Sequence, residues 1–264
     1  MFPPRRIVCL TEETVETLYL LGEQDRIVGI SGYTVRPPEA RREKTRVSAF
    51  RTADTAKIVA LEPDLVLAFS DIQADIVADL VRRGIAVHAF NQRTLGEIFA
   101  MIRTLGALVG AGERAEILAA SLEQRIVSVR ATRPSRRPKV FFEEWDDPLI
   151  SGIGWVSELI EAAGGVDVFA ERATARAAKD RIVAPADVVA CAPDIIIGSW
   201  CGKKFQPEKV KARPGFDAVP AVRAGAVHEI KSSIILQPGP AALTDGLDAI
   251  CRIVAAWAGS ITIA

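Results

Sequence analysis

The 264-residue chain is short of histidine (two), methionine (two) and cysteine (four), and each scarcity excludes something. Cys9, Cys191, Cys201 and Cys251 form no CxxC pair and no metal-finger spacing, so neither a zinc ribbon nor a dithiol redox centre is written here. Cys9, Cys191 and Cys251 stand in apolar stretches, where a free thiol behaves as a small buried hydrophobe; only Cys201, in Ser199-Trp-Cys-Gly-Lys-Lys204, falls in a polar loop. That usage suits a reducing compartment. Neither sign of charge dominates: 33 Lys and Arg balance 33 Asp and Glu, so no overall field steers the chain toward nucleic acid or an anionic surface. No apolar run nears the roughly 18 residues that span a bilayer, which predicts no direct membrane insertion. The opening Met1-Phe-Pro-Pro-Arg-Arg-Ile-Val-Cys-Leu10 lacks an apolar h-region and a cleavage site. A chain starting there is expected in the cytoplasm, and in the periplasm only if an export signal was removed. GxSxG, HExxH, P-loop and nucleophile–base patterns are absent as well.

What is present is an ordinary globular balance, 49% apolar and 25% charged. At this length a fold buries about three quarters of its unfolded surface and needs no disulfide support. Short continuous apolar runs alternate with longer amphipathic segments, the pattern of parallel strands covered by helices. Strands are expected at 7–10, 27–30, 65–69, 86–90, 139–143, 195–198 and 226–230, and helices at 14–21, 55–60, 72–83, 95–108, 156–163, 185–191 and 241–258. Gly, Pro or Asp/Ser/Thr bounds each of them. The class is α/β.

A weak internal repeat refines this. Lys57-Ile-Val-Ala-Leu-Glu-Pro-Asp-Leu-Val-Leu-Ala-Phe-Ser70 aligns with Asp187-Val-Val-Ala-Cys-Ala-Pro-Asp-Ile-Ile-Ile-Gly-Ser-Trp200, and Ala86-Val-His88 with Ala226-Val-His228. Two similar lobes account for it. Between them, 113–132 is helix-forming throughout, without Gly or Pro, and at 1.5 Å per residue would run about 30 Å. The expected organisation is an N-terminal lobe at 1–112, a stiff interlobe helix at 113–134 and a C-terminal lobe at 135–264, two Rossmann-like lobes with parallel sheets.

Ligands of open parallel sheets sit beyond the carboxyl ends of the strands. Although aromatics are only 6% of the chain, Tyr33, Phe50, Phe69, Trp145, Trp155 and Trp200 all fall in or beside the loops that follow expected strands. Large flat side chains there suit a large, partly apolar ligand, while packing of lobe edges is the plainer alternative.

Arg6-Ile-Val-Cys-Leu-Thr11, Val28-Gly-Ile-Ser-Gly-Tyr-Thr-Val-Arg-Pro-Pro-Glu-Ala40, Val47-Ser-Ala-Phe50 and Ile58-Val-Ala-Leu-Glu-Pro-Asp-Leu-Val-Leu-Ala68 resemble the first lobe of periplasmic cobalamin-binding proteins. These belong to the helical-backbone metal-receptor class (class III) of ABC-transporter substrate-binding proteins, which also take haem and ferric siderophores. Ile150-Ser-Gly152, Glu158-Leu-Ile-Glu-Ala-Ala-Gly-Gly165 and Asp167-Val-Phe169 resemble its second lobe. The resemblance implies a non-enzymatic binding protein that needs no cofactor and holds a corrinoid, or a related tetrapyrrole or siderophore chelate, between two lobes. Tyr33 stands where the family places a ligand-contacting Tyr, Phe50 and Phe69 where it places Trp, and Leu149 where it places Phe. The family's importers dock on a permease through one Glu per lobe. Ala56 and Ala186 occupy those positions here, which argues against docking and for a cytoplasmic binding protein; an ABC importer component is the alternative.

Two residue groups stand apart. His88 and His228 lie inside apolar strand patterns, where packing outweighs an axial-ligand role. Glu143-Glu-Trp-Asp-Asp147 packs four carboxylates into five residues, expected as a solvated loop, or else as a hard-cation site that would open a metal-dependent enzymatic alternative. The apolar tail 261–264 is expected to pack on the body or on a second subunit.

Overall fold

The computed structural model describes residues 3–260. The chain divides into two compact units: Met1–Gln92 with Gly96–Glu123, and Arg93–Leu95 with Gln124–Ala264. The tail 261–264 lies outside the described residues.

The first unit runs β1 (Ile7–Cys9), α1 (Glu12–Leu20), β2 (Ile27–Ser31), α2 (Ala40–Glu43), β3 (Thr45–Ser48), α3 (Thr55–Ala60), β4 (Leu65–Phe69), α4 (Ala74–Arg82), β5 (Val87–Phe90) and α5 (Leu95–Leu108), then enters α6 (Gly112–Ala131), within which the division falls. Its sheet has the order β3-β2-β1-β4-β5, with every pairing parallel. The five residues Leu-Val-Leu-Ala-Phe of β4 are all buried, as a parallel strand covered on both faces requires. Val8, Leu10, Ile58, Val66 and Leu80 form one core cluster of this unit.

The second unit runs β6 (Lys139–Asp146), β7 (Leu149–Ser151), α7 (Gly154–Ala162), β8 (Val166–Asp167), α8 (Ala170–Ala173), α9 (Pro185–Cys191), β9 (Ile195–Gly198), α10 (Pro207–Lys211), α11 (Pro220–Arg223), β10 (Val227–Glu229), α12 (Ser232–Ile235), a π-helical turn Ala242–Gly246 and α13 (Leu247–Ser260). Its sheet has the order β10-β9-β6-β7, with β8 also on β6. Here β7 is antiparallel to β6, so this sheet is mixed.

The internal repeat is structural. In each unit a helix (α3, α9) leads through a left-handed residue and a Pro-Asp pair into a buried central strand (β4, β9). Glu62 and Ala192 carry φ of 48° and 47°. Asp64 Oδ2 accepts from the Arg6 amide at 3.0 Å, and Asp194 Oδ2 from the Lys139 amide at 2.8 Å. The same two basic residues reach back to the end of the preceding helix, Arg6 Nε to Leu61 O at 3.0 Å and Lys139 Nζ to Cys191 O at 3.2 Å. His88 lies opposite Leu67 and His228 opposite Ile197.

Three short strands, β3, β7 and β8, escaped the apolar-run reading. β3 is Thr-Arg-Val-Ser, exposed at two of its four positions, and carries little hydrophobic signal. β7 forms by folding back on β6, pairing Ile150 with Trp145 and Leu149 with Asp146, and this draws the acidic segment out of a loop and into a strand.

Candidate functional site

Strand order locates the ligand end of each sheet. In the first unit the chain builds β2 and β3 on one side of β1, then crosses to place β4 and β5 on the other. The switch point therefore lies between β1 and β4, and by the same reasoning between β6 and β9 in the second unit.

At the first switch point the organising residue is Gln73, which is fully buried. Its Oε1 accepts from the Phe69 amide at 2.9 Å, and its Nε2 donates to Phe50 O at 3.0 Å. One amide side chain thus fixes the two loops that carry Phe50 and Phe69. Phe69 itself is buried (6% exposed) and Phe50 half-buried. Tyr33 is the open one, 59% exposed, on the turn after β2, where the Gly32 amide donates to Ser48 O at 2.6 Å and the Tyr33 amide to Ser31 Oγ at 3.2 Å. Gln73 falls at the start of the helix expected at 72–83, where a polar residue usually faces water, so nothing in the sequence marks it.

Glu12, at the start of α1, is buried (4% exposed), and neither carboxylate oxygen has a hydrogen-bond partner. Burial, reinforced by the nearby Glu16 and Glu13 carboxylates, pushes its pKa up to about 8 against the opposing pull of the Val35 amide and Arg36. The carboxyl is therefore largely protonated at neutral pH.

The second switch point is a network of charge and indole. Glu143, with no exposed surface, accepts Arg213 in a fork at 2.6 and 2.8 Å and the Trp200 indole N–H at 2.9 Å. The next carboxylate, Glu144, accepts the buried Arg181 in a second fork at 2.6 and 3.0 Å. Asp146 pairs with Lys203, whose ammonium stands 4.1 Å above the Trp145 ring and 4.9 Å above that of Trp200. This pairing holds the Asp146 carboxyl below its usual range against a burial effect that pushes it up. The acidic run is thus neither a solvated loop nor a free ligand set: three of its four carboxylates each hold a basic side chain, and only Asp147 is exposed. Among the described residues no group of three His, Cys, Asp or Glu is placed to hold a metal ion.

The six aromatic candidates therefore separate. Trp145 and Trp200 meet around Lys203, and Phe50 and Phe69 are tied through Gln73. Trp155 (3% exposed) and Trp200 (2% exposed) have almost no free surface; the Trp155 indole donates to Ile235 O at 2.9 Å. Both are packing and hydrogen-bonding groups of the second unit, and the open aromatic surface belongs to Tyr33, Phe50 and Trp145. The two histidines are half-buried mid-strand, with pKa values pushed below the ordinary imidazole value by burial, so both are neutral at pH 7. Ala56 and Ala186 occupy exposed first-turn positions of α3 and α9.

A family profile described as "Periplasmic binding protein" matches residues 7–234. A vitamin B12-binding protein of Vibrio cholerae serotype O1 is 30% identical over 174 residues, 64% of this chain and 63% of that protein's length. An uncharacterised ABC transporter substrate-binding lipoprotein of Bacillus subtilis is 24% identical over 262 residues, covering 95% of this chain and 80% of the other. Among solved structures, the periplasmic vitamin B12 binding protein of Vibrio cholerae superimposes with a TM-score of 0.76 at 25% identity, over 97% of this chain and 98% of the other. The names of these relatives give the expected cytoplasmic action no support, and the importer alternative fits them better.

Proposed function

The chain belongs to the periplasmic binding protein family, and on that premise we propose that it is the solute-binding component of an ABC importer with a corrinoid as cargo. The disposition of ionisable groups at the second switch point carries this reading. Glu143, Glu144 and Asp146 are each committed to an Arg or Lys, so what remains to meet a solute is aromatic surface and lysine, the make-up of a binding surface rather than a catalytic centre. The B12-binding names of relatives at 30% and 25% identity favour a corrinoid over other metal chelates. Neither Ala56 nor Ala186 carries a carboxylate, so a charge-paired dock on a permease would draw on Asp187 beside Ala186.

The test is a calorimetric titration of the protein with cyanocobalamin, haem and a ferric siderophore, followed by absorbance. Saturable binding of cyanocobalamin is expected, weakened about tenfold by Tyr33→Ala or Trp145→Ala, the worth of one aromatic contact. Absence of corrinoid binding, with haem or the siderophore bound instead, overturns the choice of cargo.

A further inference from the structure

We propose that the pocket at the carboxyl ends of β9 and β10 is an anion subsite that takes a carboxylate or phosphate-type group. The cavity measures about 430 Å³ and is lined entirely by the second unit, with Trp200, Lys203, Lys204, Lys231, Ser232 and Ser233 around it. That volume is within the range of small-molecule pockets.

Its charge is uneven. Lys203 is committed to Asp146 and lies over two indoles. Among the described residues Lys204 and Lys231 have no ion-pair partner, and the one acidic lining residue is Glu229. A chain whose charges cancel overall therefore carries a local positive excess at the ligand end of one sheet. Ammonium groups and hydroxyls are donors, and an anionic oxygen accepts from both kinds; charge-assisted hydrogen bonds of this type are the stronger ones. Trp200 gives the pocket a stiff wall, because its indole is held by Glu143, itself gripped by Arg213. The ordering left to be done on binding is then that of the two exposed side chains, Lys204 and Lys231.

The anion has two sources, an acidic group borne by the cargo or free inorganic phosphate. The first rests on the corrinoid reading above. Cobalamin carries a phosphodiester in its nucleotide loop and cobinamide lacks it, so the pair separates the sources.

The experiment uses the full chain, its Lys204→Gln/Lys231→Gln double variant and the charge-retaining Lys204→Arg/Lys231→Arg variant. Inorganic phosphate is titrated while the backbone amide resonances are followed. Saturable shifts at Gly202, Lys204, Ser232 and Ser233 are expected, at least fivefold weaker in the Gln variant and kept in the Arg variant. No saturable shift there, or shifts indifferent to the Gln pair, overturns the subsite. In the second arm the Gln variant is expected to lose three- to tenfold in affinity for cyanocobalamin and nothing for cobinamide. Equal losses for both, or none, overturn the cargo as the source of the acid. If wild type binds neither corrinoid while phosphate still moves those amides, the corrinoid proposal fails and the subsite stands with free phosphate as its ligand.

Discussion

Glu62 and Ala192 hold the same left-handed backbone, φ 48° and 47°, at matching points in two copies of one motif. A side chain in that conformation costs roughly 1–2 kcal/mol, and glycine escapes it at the expense of extra chain entropy. Glu62→Gly and Ala192→Gly are each expected to stabilise by about 0.5–1 kcal/mol, and the two effects to add because the positions belong to different units and share no partner. Urea denaturation measures it. A loss of stability in either variant would show that the side chain contributes more than the backbone strain removes.

The half-buried Arg213 and the fully buried Glu143 form a fork whose value lies in its completeness. Removing one partner leaves the other charged and desolvated, so Glu143→Leu or Arg213→Met is expected to cost about 3–5 kcal/mol. The double variant Glu143→Leu/Arg213→Met is expected to cost less than either single change. Since Trp200 loses its acceptor in the Glu143 variants, indole fluorescence should shift along with the denaturation midpoint. Additive single costs in this cycle would argue against the coupling.

Glu12 links stability to pH. Its folded pKa is raised from 4.5 to about 8, so between those values the folded state holds a proton that the unfolded chain releases. Stability from this group is therefore highest at and below pH 4.5 and declines as pH rises toward 8, by roughly 5 kcal/mol in all. Glu12→Gln is expected to flatten that slope and to melt higher than wild type at pH 8. Parallel melting-temperature profiles for the two proteins between pH 5 and 8.5 would count against the burial argument.

Gly198 ends β9 with the Phe205 ring against it. A Cβ at this position would lie 1.8 Å from Phe205 Cε2, so Gly198→Ala must displace that buried ring. The expected cost is about 1–3 kcal/mol, with weaker cargo binding, because Phe205 packs edge-on against Trp200 at 4.9 Å. Phe205→Leu in the same background should recover part of the loss, read as melting temperature and calorimetric affinity.

The spans that the apolar pattern placed correctly are those settled by near neighbours in the chain. The strands Leu65–Phe69 and Ile195–Gly198 and the helices Thr55–Ala60, Leu95–Leu108 and Pro185–Cys191 fall on their expected residues. A buried parallel strand is a continuous apolar run, and the Pro-Asp punctuation before β4 and β9 is local too. The same residues carried the α/β class, the internal repeat and the family. By contrast, β7 exists only because Leu149 and Ile150 find Asp146 and Trp145, and nothing in Leu-Ile-Ser alone signals a strand.

The candidate site was legible as loops and residue types, not as roles. Trp145 and Trp200 read alike in the sequence, yet one keeps an open face and the other is sealed against Glu143. Glu12 falls before the helix expected at 14–21, where a loop acid would face water, and is buried. The acidic segment 143–147 drew attention through its density of carboxylates, but the partners that neutralise it, Arg181, Lys203 and Arg213, lie far along the chain and arrive only when β9 and the segments around it fold onto β6. Hydrophobic periodicity is a property of neighbouring residues, so the sequence by itself determined the elements, their class and the family. Charge pairing and burial depend on residues brought together from distant segments, so only the tertiary structure decided which carboxylates are spent, which aromatic faces stay open and where a positive pocket remains.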